Sequence, residues 1–285
     1  MSDLRQRFYF ENGPVRGECV RLDAALTEVF DRHDYPEPVR LLLGQMLVAA
    51  VLLTATLKLR GRLSLQARGD GALGSIMAEC SHEHDIRGIA RLHENVTLPR
   101  GNPGPAALLG RGMLVITLEP EDGPRYQGIV PLEGETLAAC LEAYFARSEQ
   151  IPTRLWLAAD RDRAGGLLLQ VLPGSDHDED ADLWPRAAHL GDTVTPEELL
   201  ELPPQELLYR LYHEEEVRLP EAEAVRFACS CSRERTAEAL VSIGRAEAED
   251  IAAEQGEIRL HCEFCHTEYV FTPGDVRELF RTPLH

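Results

Sequence analysis

Apolar positions recur along the first 174 residues with two different periods. Residues 19–33 carry Cys19, Val20, Leu22, Leu26, Val29 and Phe30 at helical spacing, and Pro36 and Pro38 close that element. Residues 41–57 then form an uncharged run of 17, so two helices are predicted to open the chain. That run falls short of the ~20 apolar residues that span a bilayer and reads as a buried core helix. Residues 63–67 alternate like a strand. Residues 113–119 and 125–132 are β-rich and separated by a turn rich in Pro, Asp and Gly, which predicts a hairpin. A second hairpin is predicted from residues 154–159 and 166–172, with a helix over 135–150 between the two, ended by Pro152. Helices interleaved with hairpins predict an α+β fold with a mixed helix and antiparallel-sheet domain over residues 1–174.

From residue 175 the texture changes. Residues 176–182 are almost entirely acidic and too poor in apolar side chains to fold alone, which marks a solvated stretch and a boundary. Thr195, Pro196 and Glu198 form a capping-box signature for a short helix. After Pro203 and Pro204, a second helix is predicted with Leu207, Leu208, Leu211 and Tyr212 along one face. Residues 175–226 therefore read as an acidic helical linker whose apolar stripe rests on the N-terminal domain.

Charge sharpens this division. The chain of 285 residues has a net charge of −19, and residues 175–225 hold 15 acidic against three basic side chains. Such a balance repels polyphosphates and anionic lipid, so neither nucleic acid nor a membrane is expected as a partner. No basic and apolar leader opens the sequence, which predicts a cytoplasmic protein. Cytosolic cysteines are not expected to form a structural disulfide framework.

The chemistry is concentrated in residues 227–285, a small C-terminal domain. Cys229 and Cys231 form a C-x-C, and Cys262 and Cys265 a C-x-x-C. Two close pairs brought together by a chain reversal supply four thiolates, the donor set that suits tetrahedral zinc. One zinc ion is expected, with His261 and His266 as bystanders. Four sulfurs close the site, leaving no position for a catalytic water, so no catalytic residue is assigned. Arg233 and Arg235 follow the first pair, and positive charge favours the oxidisable thiolate. The spacing leaves open a purely structural zinc or a redox switch.

The run from Phe227 to Arg235, the 30-residue gap, and Cys262 to Cys265 followed by Tyr269, Val270 and Phe271 resemble the redox-regulated 33-kDa heat-shock protein family of zinc-binding holdase chaperones. Similar traces occur at His33 to Pro36, Leu53 to Leu57, Arg125 to Gly128, Leu137 to Leu141, Arg147 to Gln150 and Leu211 to Glu216. The resemblance implies zinc on the four cysteines in the reduced state, and disulfides pairing Cys229 with Cys231 and Cys262 with Cys265 on oxidation. It further implies an ATP-independent chaperone that is monomeric and idle when reduced, and dimeric and bound to unfolded clients when oxidised. Leu207, Leu208, Leu211 and Tyr212 are then the side chains expected to cover the client surface.

Other signals carry less. Gly69, Gly71 and Gly74 spell a dinucleotide fingerprint, but Ser75 to Cys80 reads as a strand where a helix is required, so a hairpin turn is expected and no nucleotide. His82, His84 and Asp85 with His93 read as an exposed polar loop. A thiol-disulfide oxidoreductase would need its C-x-x-C to open a helix after a strand, and a nucleic-acid-binding zinc module would need basic residues around its cysteines. Cys19, Cys80 and Cys140 read as small core residues.

Overall fold

The computed structural model describes residues 3–57, 60–172, 180 and 182–281, and the chain divides into two compact units, Met1–Ala228 and Cys229–His285. The acidic run at residues 176–179 and 181 lies outside the described residues.

In the first unit the chain opens with strands, not helices. β1 (Leu4–Phe10) and β2 (Val15–Leu22) form an antiparallel hairpin, and only then does α1 (Ala24–Phe30) begin. The helix expected from residue 19 is therefore corrected: Cys19 to Leu22 belong to β2. Most of β2 is buried between layers, so it lacks the apolar and polar alternation that marks a half-exposed strand. Gly17 in β2 lies opposite Phe8, and a Cβ there would fall 2.0 Å from the Phe8 ring. The glycine thus leaves the space that the fully buried aromatic ring fills.

α2 (Glu37–Thr56) is the uncharged run, opened by Pro38 in its first turn. It is long and apolar enough to cross a membrane, yet 89% of its apolar window is buried inside the protein. Its near-uniform apolarity reflects contact with strands of two different sheets, so no face is left for water.

β3 (Gly61–Gly69), β4 (Leu73–Ser81) and β5 (Asp85–Leu92) form a meander, and the three glycines of the apparent fingerprint make its first turn and the opening of β4. After α3 (Pro105–Leu109) comes the hairpin of β6 (Gly112–Pro120) and β7 (Tyr126–Pro131). α4 (Leu137–Tyr144), capped by Thr136, continues as a π-helical turn over Phe145–Glu149 and leads to the hairpin β8 (Thr153–Ala159) and β9 (Ala164–Val171).

Three helices follow within the first unit, α5 (Leu183–Gly191), α6 (Pro196–Glu201) and α7 (Pro204–Tyr212). Thr195 and Glu198 form the reciprocal capping box at the start of α6. Three two-residue strands, β10 (Val217–Arg218), β11 (Glu223–Ala224) and β12 (Arg226–Phe227), complete the unit. One sheet has the order β10-β1-β2-β9-β8, with β11 also on β1, and the other β12-β5-β4-β3-β6-β7. The architecture is a mixed α+β one.

The second unit holds α8 (Arg233–Ile243), α9 (Arg245–Gln255), the hairpin β13 (Ile258–His261) and β14 (Glu268–Phe271), and α10 (Pro273–Leu279). Its buried core is Ala237, Leu240, Ala248, Ala252, Ile258, Phe271 and Val276, of which three are alanine. So little apolar area supplies limited folding free energy, and a unit of this kind relies on further cross-links.

Candidate metal centre

Cys262 leaves β13 and Cys265 stands in the turn before β14. The turn is closed by the Cys262 N–H donating to Thr267 O at 2.9 Å and the His266 N–H donating to Cys262 O at 2.8 Å. His266 takes the left-handed conformation, φ 58°, that reverses the chain. Cys229 and Cys231 lie in the loop before α8, whose N-cap Ser232 accepts from the Arg235 N–H. The Arg235 guanidinium donates to both Ser230 O and Ser230 Oγ at 2.9 Å and so fixes the residue between the two cysteines. Arg233 pairs with Asp275 at 3.1 Å, donates to Val270 O and stacks over Phe271, tying α8 to β14 and α10. The charge of Arg233 is thus balanced by a carboxylate.

These elements bring together all four sulfurs that the spacing singled out. Cys229 Sγ lies 3.6 Å from Cys262 Sγ and Cys231 Sγ 3.4 Å from Cys265 Sγ, and the four lie within 4.8 Å of one another. All four residues are half-buried. Among the described residues no other group of three or more His, Cys, Asp or Glu side chains has metal-holding geometry. His261 instead faces Glu268 at 3.3 Å.

The thiols differ. Burial pushes Cys262 up to about 12 against the backbone N–H groups of Cys265 and Phe264, and burial raises Cys231 against the hydrogen bond from Tyr269 OH. At Cys265 burial is overcome by the Thr267 side chain and backbone and by neighbouring thiols, which bring it down to about 7. Cys19 and Cys80 are buried and pushed up to about 12, and burial also raises Cys140, so these thiols are inert core residues.

The C-x-x-C sits in a turn between two strands, whereas a thioredoxin-like site would place it at the start of a helix. The histidine reading is also corrected. His84 is buried, with Nδ1 3.3 Å from Glu223 and its carbonyl accepting from the Arg226 N–H at 3.2 Å, because the segment that carries Glu223 and Arg226 lies against it. His82 is half-buried and faces Glu121 at 3.7 Å.

The apolar side chains of α7 occupy a second place. Leu207, Leu208, Leu211 and Tyr212 are all at most 3% exposed, in a core of their own with Phe8, Phe10, Val15, Cys19, Leu167 and Leu169. Tyr212 lies 5.1 Å from the Phe10 ring edge-on and donates to Ala187 O at 3.2 Å. α6 approaches β9 so closely that a Cβ on Gly165 would stand 2.1 Å from Leu199 O.

Fold and site define a two-unit α+β protein with four cysteines placed to hold a metal ion and three helices, α5 to α7, packed in the larger unit. A family model described as Hsp33 protein matches residues 3–272. A 33 kDa chaperonin of Azotobacter vinelandii is 50% identical over 98% of this chain and 94% of its own length, and one of Pseudomonas fluorescens is 47% identical over the same shares. The crystal structure of a 33 kDa chaperonin from Thermotoga maritima superposes with a TM-score of 0.83 at 26% identity, over 98% of both chains. The chain belongs to the Hsp33 family, and that family is a chaperone family, not an enzyme class.

Proposed function

We propose that this protein is a redox-regulated, ATP-independent holdase of the cytoplasm that protects unfolding proteins under oxidative and heat stress. The observation that carries the proposal is the cluster of four sulfurs within 4.8 Å in the unit with the small, alanine-rich core. Cys229, Cys231, Cys262 and Cys265 hold one zinc ion in the reduced state. A tetrahedral site with Zn–S near ~2.3 Å sets sulfurs roughly 3.8 Å apart, and the 3.4 and 3.6 Å separations fit that donor set. Zinc so held cross-links the loop before α8 to the β13–β14 turn and supplies folding free energy.

Oxidation joins Cys229 to Cys231 and Cys262 to Cys265. Each disulfide forms from two thiols with loss of two protons and two electrons, which a peroxide takes up to give two waters. A disulfide sulfur is no thiolate donor, so the second unit loses its cross-link and unfolds. Residues 175–226 act as a linker between an N-terminal core, residues 1–174, and the switch domain, residues 227–285. When the switch domain unfolds the linker lets go, and the surface under Leu207, Leu208, Leu211 and Tyr212 meets unfolded clients through buried apolar area. The protein is a monomer when reduced and a dimer when oxidised.

The test is light scattering of a thermally unfolding client enzyme without ATP, with reduced zinc-loaded or peroxide-treated protein. The proposal expects suppression after oxidation only. Equal behaviour in both states would leave the four cysteines with a structural role.

A further inference from the structure

After α7 the chain is extended, and residues 216–228 run along the free edges of both sheets of the first unit. The Glu11 N–H donates to Glu216 O at 2.9 Å, and β10 sets Val217 and Arg218 against Phe10 and Tyr9. β11 sets Glu223 and Ala224 against Arg5 and Leu4, and the Val225 N–H donates to Asp3 O at 3.1 Å. Between these contacts the Gln6 side-chain amide donates to Pro220 O at 2.7 Å. The same segment then crosses to the other sheet. β12 pairs parallel with Asp85 and Ile86, the Arg226 N–H donates to His84 O at 3.2 Å and the Ala228 N–H to Ile86 O at 3.1 Å.

Take this segment away and β1 and β5 become the ends of their sheets. Each contact pairs only two residues of the segment, so none holds by itself and the strap depends on its flanks. One flank is α7, and the other is Cys229, the residue next to Ala228 and a member of the sulfur cluster. An open edge is a row of unpaired N–H and C=O groups, a template for any extended chain. The β1 edge also adjoins apolar surface, because Phe8 and Phe10 pack on Tyr212 of α7. Charge adds a preference. Glu223 sets its carboxylate against the guanidinium of Arg5, which is 3% exposed and shares the buried carboxylate of Glu18 with Arg7, so that one carboxylate does not balance both cations.

We propose that the β1 and β5 edges, vacated with the linker, are where clients are gripped: extended segments of unfolded polypeptide add as strands through their backbones, favouring an acidic residue opposite Arg5. The proposal rests on the holdase reading and names its binding mode. Sequence tolerance follows, since main-chain hydrogen bonds are common to every client.

The experiment uses the full chain and two labelled peptides with the sequence of residues 216–228, one unmodified and one N-methylated at alternate residues. Binding to the oxidised protein is read by fluorescence anisotropy beside client light scattering, and repeated on a reduced Val225→Pro, Ala228→Pro variant, which lacks the N–H groups that donate to Asp3 O and Ile86 O and so weakens the strap on both edges. The unmodified peptide is expected to bind both proteins, to compete with client, and to bind about tenfold more tightly than the N-methylated one. Equal binding of the two peptides, or none while oxidised protein still holds client, overturns the edge mode and leaves the redox holdase standing. Tenfold discrimination by the reduced variant with no client protection by the oxidised protein supports the edge mode and removes the redox trigger. If the variant does not fold, the oxidised protein decides through the same comparison.

Discussion

Leu211 on α7 is 3% exposed in the core that the linker helices share with β1, β2 and β9, whereas Tyr209 on the same helix is 73% exposed. Truncating a buried leucine to alanine costs about 2–5 kcal/mol, the spread depending on how far the site collapses. If the linker undocks as a unit, Leu211→Ala shifts its docked and undocked populations by a factor of roughly 30 to several thousand. The shift is readable in the reduced, zinc-loaded protein, where the cysteines are unchanged. Amide hydrogen exchange over residues 183–212 should accelerate by at least about thirtyfold while exchange in α2 stays as it was. Client protection without oxidant should rise in step. Tyr209→Ala removes an aromatic ring from the exposed face and should change neither. Unaltered exchange in Leu211→Ala, or an equal response to Tyr209→Ala, would refute the argument that the buried stripe holds the linker down.

Other perturbations act on the same equilibrium from different sides. Gly165→Ala would set a methyl 2.1 Å from Leu199 O, so α6 must move off β9 and the reduced protein should gain protection activity; activity equal to that of the parent would count against it. Leu208→Glu with Leu211→Glu should abolish the oxidant requirement, and an unchanged requirement contradicts the cover role. Removing metal with a chelator, or Cys262→Ser, should unfold the second unit, so its transition should vanish from calorimetry, and a transition that survives would contradict the metal cross-link. Acid should loosen the linker. Arg186 holds the Glu215 and Asp180 carboxyls below the usual range, so their contribution is complete above an ordinary carboxylate value of about 4.3 and is lost as pH falls through the lower folded values. Trp156 and Trp184 pack against the linker core, so their emission should shift below about pH 4, and flat emission down to pH 3 would argue otherwise.

The features legible in the sequence are those whose signals are local. The capping box at Thr195 and Glu198, the stripe from Leu207 to Tyr212 and the two cysteine pairs are written within a few residues of one another. The hairpin turns carry Gly, Pro and Asp, and α2 is a run with no charge to interrupt it. β2 was hidden because it is buried through most of its length, and apolar residues without alternation resemble a helix as readily as a strand. α5 went unread because it follows the acidic run and has few large apolar positions before the linker core gives them a partner. The strands β10, β11 and β12 have no local signature, since two residues become a strand only when an edge is there to pair with. Residues 213–226 were therefore carried along in the acidic helical linker. His84 misled in the opposite sense, because a polar residue reads as exposed until a distant carboxylate, Glu223, is folded against it.

The central claim is that loss of the four-sulfur site and gain of client binding are one event. It is tested most directly by titrating a single reduced, zinc-loaded sample with peroxide while following zinc release with a chromogenic chelator and client light scattering together. The account predicts that both curves rise over the same range, with disulfides mapped by mass spectrometry to Cys229 with Cys231 and Cys262 with Cys265. Full suppression before any zinc is released, or complete release with no gain in suppression, would contradict it.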